Sequence, residues 1–194
     1  MIFFSKIRSF FSEFIFFIRN VLAVKKIKVI GCTEHNGYFL SSLNSDHFVD
    51  ALTLYSDLNK TPRPNLFRRL AYKVNQKKMM FSVVDSNNNL VGLEIFYFNR
   101  RDAKENTVHE GFVGIVESCR GLGISTKLRR HSLSHFESSG LSGISSRISL
   151  NNVPSLRSAE KLGFKPVERY FDQAMSEERY YLVCLFKDSS KNVE

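Results

Sequence analysis

Apolar positions recur along the first 24 residues with the period of a helix, and the two sides of that helix differ in chemistry. At about 100° per residue, Phe3, Phe4, Ile7, Phe10, Phe11, Phe14, Ile15, Phe17, Ile18, Val21 and Leu22 fall on one half of the wheel. Ser5, Lys6, Arg8, Ser9, Ser12, Glu13, Arg19 and Asn20 fall on the other, with Phe16 the main intruder. Charges interrupt the run and no small-residue cleavage site follows, so residues 2–24 read neither as a signal peptide nor as a membrane span. Two uses of such a helix stay open. Its aromatic face suits a membrane interface, with basic side chains toward headgroups, and equally suits packing on the remaining domain or on a second copy in a homodimer.

The rest of the chain alternates strand-like and helix-like stretches. Residues 26–30 form a short β-prone run, residues 44–56 have helical spacing behind a cap at Asn44 or Ser45, and Thr61-Pro-Arg-Pro64 breaks the chain before a short helix at 65–74. Strands are expected at 78–84 and 90–99 around a Ser/Asn-rich turn, and again at 108–116. A helix at 123–138, a strand at 143–150, a helix at 155–162 closed by Gly163, and strands at 164–170 and 180–187 complete the order. This order implies an α/β mixed sheet flanked by helices in one domain, residues 27–187. Residues 1–26 precede it as the amphipathic helix, and the polar residues 188–194 read as a disordered tail.

Charge and cysteine usage narrow the chemistry. Over half of the net charge of +9 sits in residues 1–30, where six basic residues face Glu13 alone. No helix-turn-helix, zinc-finger or RNP pattern accompanies that basic segment, which disfavours nucleic acid as a partner. Cys32, Cys119 and Cys184 are widely spaced and form no Cys/His cluster, so neither a metal site nor a disulfide framework is expected, and a reduced cytoplasmic setting follows.

The stretch that carries chemistry is Val113–Ser125. A strand runs into Arg120-Gly121-Leu122-Gly123-Ile124-Ser125, where a helix begins. Glycines let the backbone approach a ligand, and the free amides of a helix start favour a polyanion such as a pyrophosphate. The spacing is neither the GxGxxG of a dinucleotide fold nor a P-loop. About thirty residues on comes Asn152-Val-Pro-Ser155, followed by Lys161-Leu-Gly163-Phe164. Together the two blocks resemble the GNAT superfamily of N-acetyltransferases, with its Arg/Gln-x-x-Gly-x-Gly/Ala loop and its later Asn-x-x-Ala/Ser and Lys-x-Gly-Phe block.

The resemblance implies acetyl-CoA as co-substrate, no metal, and direct attack by a primary amine on the thioester. It places Val113, Ile115 and Val116 along the pantetheine arm, Arg120 and the amides of Gly121, Leu122, Gly123, Ile124, Ser125 and Thr126 on the pyrophosphate, and Asn152 and Ser155 near the thiol. Lys127, Arg129 and Arg130 are candidates for the adenosine phosphate, or else a solvated helix face. Many members carry a Tyr as acid two residues before the Lys of Lys-x-Gly-Phe; here that position is Ala159, which leaves Tyr170, Tyr180 or water as substitutes, or an acid that is dispensable. Candidates for the base are Glu110 and His109, with Glu94 behind them, while His131 and His135 read as surface residues. The acceptor, a small-molecule or protein amine, such as an amino sugar, is not legible. Rival readings are an acyl-CoA-binding module without catalysis and a membrane-associated interaction protein. The expected location is the cytoplasm, peripheral on the inner face of a membrane through residues 2–24.

Overall fold

A computed structural model describes residues 2–186, with side chains from Ile7 onward. The tail expected at 188–194 and the side chains of Phe3, Phe4, Ser5 and Lys6 lie outside the described residues. The chain opens with helix α1 (Ile2–Ala23), a hairpin of β1 (Thr33–His35) and β2 (Tyr38–Ser42), and helices α2 (Phe48–Asn59) and α3 (Leu66–Met79). Strands β3 (Met80–Val84) and β4 (Leu90–Tyr97), the short helix α4 (Arg100–Glu105) and β5 (Thr107–Ile115) follow. Then come α5 (Ile124–Ser138), β6 (Gly143–Ser149), α6 (Val153–Lys161), β7 (Lys165–Asp172) and β8 (Glu177–Leu185).

One sheet of eight strands runs in the order β1-β2-β3-β4-β5-β6-β8-β7. All neighbours are antiparallel except β5 and β6. One face packs on α5 and α6 through a core that includes Phe81, Phe96, Val108, Leu128, Phe136 and Ala159. The other face packs on α1, α2 and α3 through Phe16, Leu52, Tyr72, Leu93 and Ile95. This is the mixed sheet flanked by helices that the element order implies.

Three elements differ from expectation. Residues 26–30 form no strand; Ile27 and Ile30 instead plug the core beside Val24, and the Ile30 amide donates to the Lys77 carbonyl at 3.0 Å. The first strands are the hairpin β1–β2, turned at Asn36 and Gly37, both at positive φ. Helix α4 is a further addition, capped by Asn99, whose side chain accepts from the amides of Arg101 and Asp102.

Helix α1 is the larger surprise. The face it presses on the domain is the more polar one: Phe16 and Asn20 are buried and Glu13 is half-buried. Asn20 explains the choice. Its side chain accepts from the Phe98 amide at 2.7 Å and donates to the Phe98 carbonyl at 3.1 Å, extending the end of β4. Glu13 takes a bidentate bond from Arg68 of α3, at 2.9 and 3.3 Å. Phe10 and Phe14 meet the edge of Phe67, with ring centroids 5.1 and 5.8 Å away. Most of the aromatic stripe stays outside, with Phe10 and Phe11 each 57% exposed. Among the described residues no helix is long and apolar enough to cross a membrane.

Candidate active site

The parallel pair β5–β6 is short. Thr107–Glu110 pair with Gly143–Ser146, and beyond these residues the two strands part. β5 stays on β4 past that point by means of a bulge: Ile95 pairs with Phe112 and Phe96 with Glu110, leaving Gly111 extra. A cavity of about 920 Å³ fills the gap, lined by Gly111–Ile115 of β5, Ser146–Ser149 of β6, the loop into α5 and the start of α6.

Two chain segments aim backbone donors into this cavity. The Val116 amide donates to the Val91 carbonyl at 2.9 Å, so strand alternation turns the polar groups of Val113 and Ile115 away from β4 and into the gap. Val116 itself is thereby engaged by β4, which removes its amide from the set expected to hold a pantetheine arm. Gly123 stands at the N-cap of α5 with φ 74° and gives no side-chain cap, and Gly121 has φ 80°. A side chain at either φ would be strained, by about 1–2 kcal/mol. The first-turn amides of α5 therefore face outward without an intrahelical acceptor, in a field that favours anions. Among the expected cradle residues, Arg120, Gly121, Gly123, Ser125 and Thr126 line the cavity, as do Asn152 and Ser155. The Leu122 side chain is exposed and that of Ile124 is buried in the core, so these two contribute main chain only. Asn152 uses its Oδ1 to cap α6 at the Ser155 amide, 3.2 Å away. The free first-turn donors and the open space around both glycines fit the diphosphate and thioester arm of acetyl-CoA.

At the fork of the strands sits a buried ion pair. Arg129 donates to both oxygens of Glu110, at 2.6 and 2.8 Å, and Ser146 Oγ adds a third bond at 2.8 Å. Burial opposes ionisation of Glu110, but the Arg129 charge and these hydrogen bonds outweigh it and hold the carboxyl below the usual range. Glu110 lines the cavity, yet as a saturated carboxylate it is a weak proton acceptor. Arg129 is correspondingly unavailable to an adenosine phosphate. Glu94 lies against this pair on β4, and burial and then the Glu110 charge push its carboxyl well above the usual range.

His109 does not reach the cavity. Its side chain is on the opposite face of β5, where Nδ1 bonds Ser145 Oγ at 2.7 Å. Ser145 and Thr107 both donate to Asp102 Oδ1 at 2.7 Å, and Tyr181 donates to it at 3.2 Å. Burial depresses the His109 pKa to about 4, so it is neutral and structural at pH 7. Tyr170 is likewise absent from the cavity lining, and its hydroxyl is buried on β7. Ala159 is fully buried in the core, while its neighbour Ser158 lines the cavity with a buried hydroxyl that has no partner among the described residues. His131 and His135 are not free surface groups: His131 bonds the Gly31 carbonyl and Thr33, and His135 is buried against Phe81. Sequence reasoning also missed Ser146 and Glu177, which stand in no recognisable motif, and Ser158, which occupies an unspecified position within the Asn152–Phe164 block.

Solved structures share this fold. The ribosomal-protein-S18-alanine N-acetyltransferase from Escherichia coli superposes with TM-score 0.64 at 13% identity, over 81% of this chain and 99% of that one. Arabidopsis thaliana Naa50 in complex with the bisubstrate analogue CoA-Ac-MVNAL gives 0.66 at 16% identity, over 77% and 99%. Spermidine N-acetyltransferase SpeG from Vibrio cholerae gives 0.60 at 17% identity, over 78% and 95%. No curated protein sequence matches the chain. The profile of the acetyltransferase (GNAT) family matches residues 45–164, from the turn before α2 to the Phe that follows α6, and so spans both motifs and the forked strands. The chain therefore belongs to the GNAT family and is an acetyl-CoA-dependent N-acetyltransferase.

Proposed function

We propose that the cavity between β5 and β6 presents acetyl-CoA to a primary amine, of a small molecule or a protein, for direct attack. The observation that carries this reading is the parting of β5 from β6 beside the uncapped start of α5. Main-chain groups of Val113 and Ile115 would pair with the pantetheine arm as an added strand, and the amides from Leu122 to Thr126 with Arg120 would hold the diphosphate. The amine nitrogen forms the new C–N bond to the acetyl carbon as the C–S bond breaks with its electron pair on sulfur, and the proton shed by nitrogen neutralises the thiolate through solvent. Ser158, whose buried and unpartnered hydroxyl lines the cavity one residue before Ala159, would replace the missing tyrosine, and Glu110 with Arg129 fixes the geometry of the fork without taking the proton. Much of the rate advantage then comes from positioning two substrates in one cleft.

Calorimetric titration with acetyl-CoA, followed by thiol release across a panel of amines, tests the proposal. Saturable binding and amine-dependent release are expected. Binding with no turnover on any amine would instead establish a non-catalytic acyl-CoA module.

The outward stripe of α1 supports a second proposal, attachment to the cytoplasmic face of a membrane. Phe10, Phe11, Ile18 and Leu22 of α1 are exposed, and so are Leu66, Leu70 and Val74 of α3. Lys25 and Lys26 follow directly, where they suit anionic headgroups.

A further inference from the structure

A second cavity, of about 830 Å³, opens between α1, α3 and the end of β4. Its lining includes five arginines, Arg8, Arg19, Arg68, Arg100 and Arg147, against one acid, Glu13. Glu13 is already held by Arg68. Among the described residues, none of the other four arginines lies within salt-bridge distance of a carboxylate. Guanidiniums gathered around one cavity repel each other unless an anion joins them, and their planar forks match phosphate oxygens. The remaining wall is mostly apolar and aromatic, from Phe11, Ile15, Phe16 and Tyr97, with Ser12 and Asn99 as its neutral polar members.

This cavity adjoins the acetyl-transfer cleft. Arg147 of β6 lines both. Tyr97 lines the second cavity and packs over Gly111 of the first so closely that a Cβ on Gly111 would clash with the tyrosine ring. Arg147 and the Tyr97–Gly111 contact are thus where the two cavities meet. Helix α1 is what makes the site: Arg8, Ser12, Ile15 and Arg19 recur at helical spacing on the flank between its buried and its exposed face.

We infer that this cavity is the acceptor subsite, and that it takes an amine carrying a phosphate ester, whose phosphate the arginines bind while its amino group reaches past Tyr97 to the fork of β5 and β6. The inference rests on the N-acetyl transfer proposed above. The phosphate can belong to a soluble phosphorylated amine or to a phospholipid headgroup, and the chemistry recognised is the same.

The test compares thiol release from acetyl-CoA with matched pairs: glucosamine against glucosamine 6-phosphate, ethanolamine against phosphoethanolamine, and vesicles with and without phosphatidylethanolamine. Phosphorylated acceptors should be preferred, and Arg19→Gln and Arg147→Gln should each lower that preference about 10–100-fold, mainly through the acceptor KM, given the usual worth of a hydrogen bond to a charged group. A preference confined to the vesicles assigns the phosphate to lipid; a preference for the soluble members assigns it to a free metabolite. In parallel, pyrophosphate is titrated into enzyme saturated with CoA, which blocks the α5 cradle. Binding that weakens in Arg8→Gln and Arg19→Gln supports the anion site even where no amine turns over, and in that case only the transfer reaction fails. Turnover on neutral amines with no phosphate preference, or equal loss with both members of a pair, overturns the inference while leaving N-acetyl transfer standing. A preference for carboxylated over phosphorylated amines overturns it too.

Discussion

Burial, and then the neighbouring Glu110 charge, hold the Glu94 carboxyl well above the usual carboxylate range. An unfolded chain would ionise it in the ordinary carboxylate range. The stability derived from its neutral form is therefore complete below that range and declines as pH rises toward the higher folded value. Glu94→Gln should raise the urea midpoint more at pH 8 than at pH 5; an equal or opposite shift would show the carboxyl to be ionised in place. His109 has the opposite dependence. Its folded value of about 4 lies below the ordinary histidine range, so stability is lost as pH falls through that interval. At pH 5 the loss should be about 2 kcal/mol, from roughly 1.4 kcal/mol per pH unit below about 6.5. NMR titration of the His109 ring checks it, and a midpoint above 6 would contradict the burial argument. The chemical candidates Glu94, His109 and Glu110 were visible in the sequence as polar residues on strand positions. Their roles were not, because each depends on which sheet face it takes and on what covers that face. Strand alternation puts Glu110 under Arg129, nineteen residues later on α5, and puts His109 against Asp102 and Ser145.

Elements fared better than residues where two sequence signals agreed. The glycines before α5 marked a helix start that the fold keeps, Gly163 closes α6 as expected, and the Ser/Asn-rich turn at 85–89 joins β3 to β4, while α6 begins at Val153, two residues before the expected start, because Asn152 caps it. The β1–β2 hairpin carried its own signal, Asn36-Gly37 between short β-prone runs, but so few flanking residues made the alternation too brief to read. Helix α1 shows a limit of amphipathicity itself. Its apolar side was legible, yet the side that docks was decided by two polar anchors, Asn20 and Glu13, whose partners come from distant segments. Asn20→Ala would leave the Phe98 amide and carbonyl buried without partners, at about 1–3 kcal/mol. Limited proteolysis should then cut within α1 while the remaining domain stays resistant and still binds acetyl-CoA. If α1 stays protected, the Phe16 contacts alone hold it and the anchor role of Asn20 is wrong.

At the scale of the molecule, the acetyl-CoA cleft was readable through the resemblance carried by two motifs about thirty residues apart, which the fold brings to one cavity. The arginine-lined cavity was not, since its walls come from α1, Arg68, the end of β4 and Arg147, and only folding brings these together. The same assembly creates the outer apolar surface across α1 and α3 on which the proposed membrane attachment rests. Interfacial binding grows with buried apolar area and with attraction to anionic lipid. Phe10, Ile18 and Val74 are 57%, 39% and 62% exposed and line neither cavity, so changing all three to Ser should spare the fold and acetyl-CoA binding. Losing three partly exposed apolar groups should lower partitioning onto anionic vesicles about 100-fold, at about 25 cal/mol for each Å² no longer buried in lipid. High salt should weaken binding of the wild type only in part, because the apolar share is unscreened. A triple variant that sediments with vesicles as fully as the wild type, or wild-type binding that salt abolishes, would mean that basic residues alone make the contact and that the aromatic stripe faces another protein.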